Sequence, residues 1–121
     1  MPGYSVVGSN RLEEAKAFYD ALLGSIGMRK RFDHPTGGRL YGRGDEMFGV
    51  LAPYNGEAAT VGNGTMVGFS LESPAEVDAF HAKALELGGT CEGPPGERAP
   101  SAYFAYVRDL DGNKLCAYKF G

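Results

Sequence analysis

Two cysteines, two histidines and seven tyrosines are the side chains of this 121-residue sequence best able to do chemistry. A catalytic thiol needs a base or a positive environment to ionise. Cys116 has Lys114 two residues away on the same expected strand face, but no histidine is placed in sequence to partner it. Cys91 and Cys116 fit neither a disulfide framework nor a zinc-ligand spacing, so both are expected to be free thiols. His34 lies in a loop before Pro35, and His81 sits one helical turn after Asp78. Both imidazoles are expected to be solvated or locally hydrogen-bonded, with His34 the one able to reach a ligand from a pocket rim. No residue takes a catalytic role on these grounds.

The elements that must position these residues repeat. Offset by 62 positions, the chain aligns Tyr4 with Met66, Glu14 with Glu76, Phe18 with Phe80, Leu23 with Leu85, Gly27 with Gly89 and Tyr41 with Tyr103. Matches in common order and spacing imply two related halves. Each half opens with a β-type run, Tyr4–Gly8 and Thr65–Leu71, followed by a helix. Asn10 with Glu13, and Ser73 with Glu76, have the spacing of capping boxes, and Pro74 suits a first helical position. Leu12, Ala15, Phe18, Tyr19, Leu22 and Leu23 form one apolar stripe, and Val77, Phe80, Ala84 and Leu85 or Leu87 another. Three strands follow each helix: Met28–Phe32, Leu40–Arg43 and Met47–Ala52, then Thr90–Glu92, Tyr103–Arg108 and Lys114–Phe120. The segment Glu92–Ser101, with three prolines, reads as a lid or a stiff connector. The expected fold is α+β, two tandem βαβββ modules at about 1–53 and 64–121 within one domain spanning 1–121. The modules should form a concave half-barrel sheet with helices on its outer face.

Composition narrows the function. Hydrophobic residues make up 43% and charged residues 22%, and the net charge is −3 with scattered basic residues. A nucleic-acid partner, which wants a basic face, is disfavoured. No apolar run approaches the length of a membrane span, and Met-Pro-Gly-Tyr does not read as a signal peptide, so a cytoplasmic location is expected. If Arg108 pairs with Lys114 across the Asp109–Asn113 turn, Tyr106 lies opposite Cys116 and Phe104 opposite Tyr118 on one face.

The chain resembles the vicinal oxygen chelate superfamily, which includes glyoxalase I, bleomycin-resistance proteins and extradiol dioxygenases. The resemblance runs through Asn10–Tyr19, Asn63-Gly64-Thr65, Val77–Phe80 and Arg108-Asp-Leu-Asp-Gly-Asn-Lys114, where the family usually has Asp-Pro-Asp-Gly. It implies a concave pocket lined by Tyr4, Met66, Phe104, Tyr106 and Cys116, with Phe48 or Tyr41. The family's three metal-ligand positions fall on Tyr4, Met66 and Cys116, none of them the usual His, Gln or Glu. No carboxylate stands near Phe48–Val50 for a further ligand. The expectation is therefore a metal-free and cofactor-free binder of a small apolar or aromatic molecule, acting as a homodimer. The alternative is a lactoylglutathione lyase-like or dioxygenase-like enzyme with non-standard site residues. A third reading has the pocket filled by its own side chains.

Overall fold

The computed structural model describes residues 3–121. Each half is a βαβββ unit. The first holds β1 (Gly3–Gly8), α1 (Leu12–Gly24), β2 (Arg29–Asp33), β3 (Arg39–Arg43) and β4 (Glu46–Leu51). The second holds β5 (Val67–Ser70), α2 (Pro74–Glu86), β6 (Thr90–Ala99), β7 (Ala102–Arg108) and β8 (Lys114–Phe120). Two four-stranded mixed sheets result, ordered β1-β4-β3-β2 and β5-β8-β7-β6, with the parallel pairs β1·β4 and β5·β8 in equivalent places. The fold is α+β.

The helical stripes do what their spacing requires. Ala15, Phe18, Tyr19, Leu22 and Leu23 of α1, and Val77, Phe80 and Ala84 of α2, are buried. They join Val7, Phe48, Val50, Phe69, Val107, Leu115 and Ala117 in one core cluster drawn from both halves. Leu87, just past α2, packs against that cluster, whereas Leu85 is exposed. Phe48 of the first sheet meets Phe69 of the second with ring centroids 5.4 Å apart. The helix-bearing faces of both sheets therefore share a core, and their other faces turn away from it.

Two local expectations need correction. Ser73 caps α2 as its spacing suggests, its Oγ accepting from Glu76 N at 3.2 Å. The N-cap of α1, however, is Arg11, with no side-chain cap bond. Asn10 is engaged elsewhere: its Oδ1 accepts from Ala59 N at 2.7 Å and its Nδ2 donates to Ala59 O at 2.9 Å. A pair of hydrogen bonds to a distant backbone outcompetes a local cap because it satisfies two groups of the linker between the halves. Secondly, Glu92–Ala99 is strand, neither lid nor connector. β6 is an edge strand whose pairing with β7 shifts register between Gly93 and Gly96. Pro94 and Pro95 fall in that shift, where a missing N–H breaks no ladder bond.

The Asp109–Asn113 turn fastens the halves together. Asp109 is buried; its Oδ1 accepts from Asp111 N and Asn113 N, and its Oδ2 from the Tyr19 hydroxyl. Asn113 Nδ2 reaches Gly8 O at 2.9 Å, so the end of β1 is held against the start of β8. Gly112 closes the turn at φ +92, a backbone region that glycine enters without strain.

Candidate functional site

Strand register decides where each candidate side chain points. In the first sheet Tyr4 pairs with Met47 and Gly42 with Met47, while Ser5 pairs with Phe48 and Tyr41 with Phe48. Tyr4 and Val6 thus lie on the face away from α1, and Tyr41 and Phe48 lie on the face against it. Tyr41 and Phe48 are both buried beside Tyr19, and the Tyr41 hydroxyl donates to Asp20 at 2.7 Å. Burial, then Asp20, raises the Tyr41 pKa above its ordinary value. These two aromatics belong to the core and not to the outward face with Tyr4, which corrects their placement. Each borders only a small cleft, of about 170 Å³ beside Phe48 and about 210 Å³ beside Tyr41.

In the second sheet the expected register holds: Arg108 pairs with Lys114, Tyr106 with Cys116 and Phe104 with Tyr118. These residues occupy the face away from α2. Phe104 stacks on Tyr106 at 5.9 Å and on Tyr118 at 5.5 Å, and Phe120 meets Phe104 edge-on at 5.4 Å. Lys114 Nζ and the Arg98 guanidinium lie 5.1 and 5.5 Å from the centre of the Tyr106 ring. Gly68 pairs with Cys116, and a Cβ there would come within 3.2 Å of its Sγ. Cys116 is buried, which pushes its thiol up to about 11 against the opposing pull of Lys114. Met66, just before β5, is 43% exposed and Tyr4 is 64% exposed. The structure gathers Cys116, Phe104 and Tyr106 on one sheet, and puts Tyr4 on the other.

The structure also holds a groove of about 830 Å³ at the end of β1 and β4. Val6 and Leu51 line its sheet side, His34 and Thr36 one rim, and Tyr54 and Ala59 of the linker the other. His34 Nδ1 and Thr36 Oγ1 are 2.6 Å apart, which fixes the ring at that rim. The Asn10–Ala59 bonds tie down the linker wall of the groove, and no composition signal in 53–64 announces them. His81 is also not solvated: it is 8% exposed, with Nε2 3.2 Å from Cys91 Sγ.

The model of the Glyoxalase/Bleomycin resistance protein/Dioxygenase superfamily matches residues 3–117. The chain belongs to this superfamily. A glyoxalase/bleomycin resistance protein from Albidiferax ferrireducens T118 shares 46% identity over 95% of this chain and 94% of its own, with a TM-score of 0.88. A glyoxalase/bleomycin resistance protein/dioxygenase family enzyme from Burkholderia phytofirmans PsJN is 18% identical, over 98% of this chain and 97% of that one, with a TM-score of 0.77. A lactoylglutathione lyase from Agrobacterium tumefaciens is 20% identical, over 98% and 92%, with a TM-score of 0.73. The last two share the fold. No curated protein matches the chain.

For this superfamily member the implied metal can be tested against the donors present. A phenol at Tyr4, a thioether at Met66 and a Cys116 thiol held protonated by burial do not suit a hard divalent ion, which wants imidazole and carboxylate. Among the described residues no three His, Cys, Asp or Glu side chains are grouped to hold a metal. The residues do not fit the ion. Nor, among the described residues, is any helix long and apolar enough to cross a membrane.

Proposed function

We propose that the protein binds a small apolar or aromatic molecule without a metal ion, on the outward sheet faces of a homodimer. The groove of about 830 Å³ carries this reading, because that volume is typical of small-molecule sites. Apolar Val6, Leu51 and Ala59 supply its contact area, and His34 and Thr36 supply orienting polar groups.

The second sheet supports the same reading. Its ladder of Tyr106, Phe104, Tyr118 and Phe120 offers flat aromatic surface, with two cations at one end. Tyr4, Val6, Met66 and Phe120 are exposed large hydrophobics of the kind that mark a binding surface. β1 and β5 each end a sheet, leaving free edges that favour pairing with another copy. In such a dimer the first sheet of one copy would bring Tyr4 and Val6 to the Met66, Cys116, Phe104 and Tyr106 face of the other. A lyase-like or dioxygenase-like reaction would have to use Tyr4, Tyr106 and Cys116 as acid–base groups. A thiol near 11 is a poor one at neutral pH.

Light scattering should give twice the 12.9 kDa chain mass. Calorimetry against a panel of planar aromatic compounds, neutral and carboxylated, should find a binder. Val6→Asp and Phe104→Ala should each weaken it by about tenfold, equivalent to ~1.4 kcal/mol. A monodisperse single chain that binds none of the panel would overturn the reading.

A further inference from the structure

The second half carries a pairing that ligand binding does not use. Cys91 is the second residue of β6 and pairs with Val107, whose side chain lies on the face against α2. That register carries the Cys91 thiol to α2, where His81 Nε2 stands 3.2 Å from its sulfur. The imidazole is buried against the start of β6, while Cys91 itself is exposed. An exposed cysteine backed by a sheltered base is the arrangement that raises thiol reactivity.

The surroundings are compatible with proton transfer. Burial lowers the His81 pKa, and Asp78, one turn earlier on α2, opposes that. Asp78 therefore offsets part of the cost that burial sets on protonating the ring. Asp78 is itself oriented by the Tyr103 hydroxyl, which donates to it at 2.7 Å from β7. Glu92, next to Cys91, has its charge engaged by Arg108 at 3.1 Å, which limits its repulsion of a thiolate. Cys116 provides the contrast within one chain: it is buried, and burial pushes its pKa up.

We infer that Cys91 and His81 form a reactive thiol–imidazole pair, making Cys91 a site of reversible mixed-disulfide formation with low-molecular-weight disulfides. The Cys91 thiol gives its proton to His81 Nε2, and the sulfur attacks one sulfur of the incoming disulfide. The S–S bond of that molecule breaks as the new S–S bond to Cys91 forms. Its second sulfur leaves with the electron pair and takes up the proton from the imidazolium or from water. Cys91 is oxidised and half of the disulfide is reduced to thiol, so no other oxidant is needed.

The test uses the full chain carrying Cys116→Ser, so that Cys91 is the single thiol. Oxidised glutathione is added at pH 7 and the adduct followed by intact mass. The folded chain should react about tenfold faster than the same chain unfolded in urea, despite its partial shielding. His81→Gln should bring the folded rate down to the unfolded one or below, and Cys91→Ser should abolish the adduct. A folded rate no greater than the unfolded rate overturns the inference, and that comparison stands even if His81→Gln fails to fold. A folded His81→Gln chain reacting at the parent rate overturns it equally.

Discussion

Tyr19 on α1 donates its hydroxyl to Asp109 Oδ2 at 2.5 Å, joining two residues 90 positions apart. Both are buried, and the bond links the first helix to the last turn of the second half. Burial first, and Asp109 second, hold the Tyr19 pKa well above its ordinary value. A group raised on folding stabilises the native state below its unfolded pKa, here about 10, and that contribution fades as pH rises toward the folded value. Unfolding followed by circular dichroism should show stability falling above about pH 10. Tyr19→Phe should flatten that part of the profile and cost about 2 kcal/mol at pH 7, since a charged acceptor loses a donor. An unchanged alkaline limb in the variant would remove Tyr19 as its cause.

The two helix starts respond differently to loss of their polar residues. Ser73→Ala removes a single cap bond and should cost about 1 kcal/mol. Asn10→Ala removes both bonds to Ala59, so it should also free the linker that walls the groove. Limited proteolysis should cut Asn10→Ala faster within 53–64 and leave the Ser73→Ala pattern like the parent. Equal cleavage in the two would mean that other contacts hold the linker.

Glycines at the two helix ends are not equivalent. A Cβ at Gly89 would lie 2.7 Å from Arg108 O and 2.9 Å from Ala84 O, both backbone atoms that cannot step aside. Gly89→Ala should lower stability by about 2 kcal/mol through overpacking. Gly24 ends α1 with nothing within 4 Å of such a Cβ and no positive φ. Gly24→Ala should therefore be neutral or stabilising by about 0.5 kcal/mol. Thermal melts of the pair check the contrast, and a melting point for Gly89→Ala at or above that of Gly24→Ala would contradict it.

A metal site should be installable if two copies bring their outward faces together. Tyr4→His, Met66→His and Cys116→Glu supply two imidazoles and a carboxylate, a donor set suited to zinc or nickel. Tyr4 lies on one sheet and Cys116 on the other, so the site would join two copies. Zinc should raise the melting temperature of the triple variant and strengthen its dimer, and leave the parent unchanged. A folded variant indifferent to zinc would show that the three positions do not converge in the assembly.

The sequence alone determined the repeat, the two helices with their buried stripes, and the pairing across the last turn. Those depend on local periodicity and on turn residues, and both act over a few positions. Tyr106 opposite Cys116 and Phe104 opposite Tyr118 followed from counting outward from Asp109–Asn113. Tertiary structure alone decided which face Phe48 and Tyr41 share. A period of two groups the residues of each strand, but only the pairing of Tyr4 with Met47 sets those groups against each other. It likewise decided that Asn10 would hold Ala59 instead of capping α1, and that His81 would meet Cys91. These contacts join segments whose approach is fixed by burying the shared core, and no spacing rule along the chain encodes that approach.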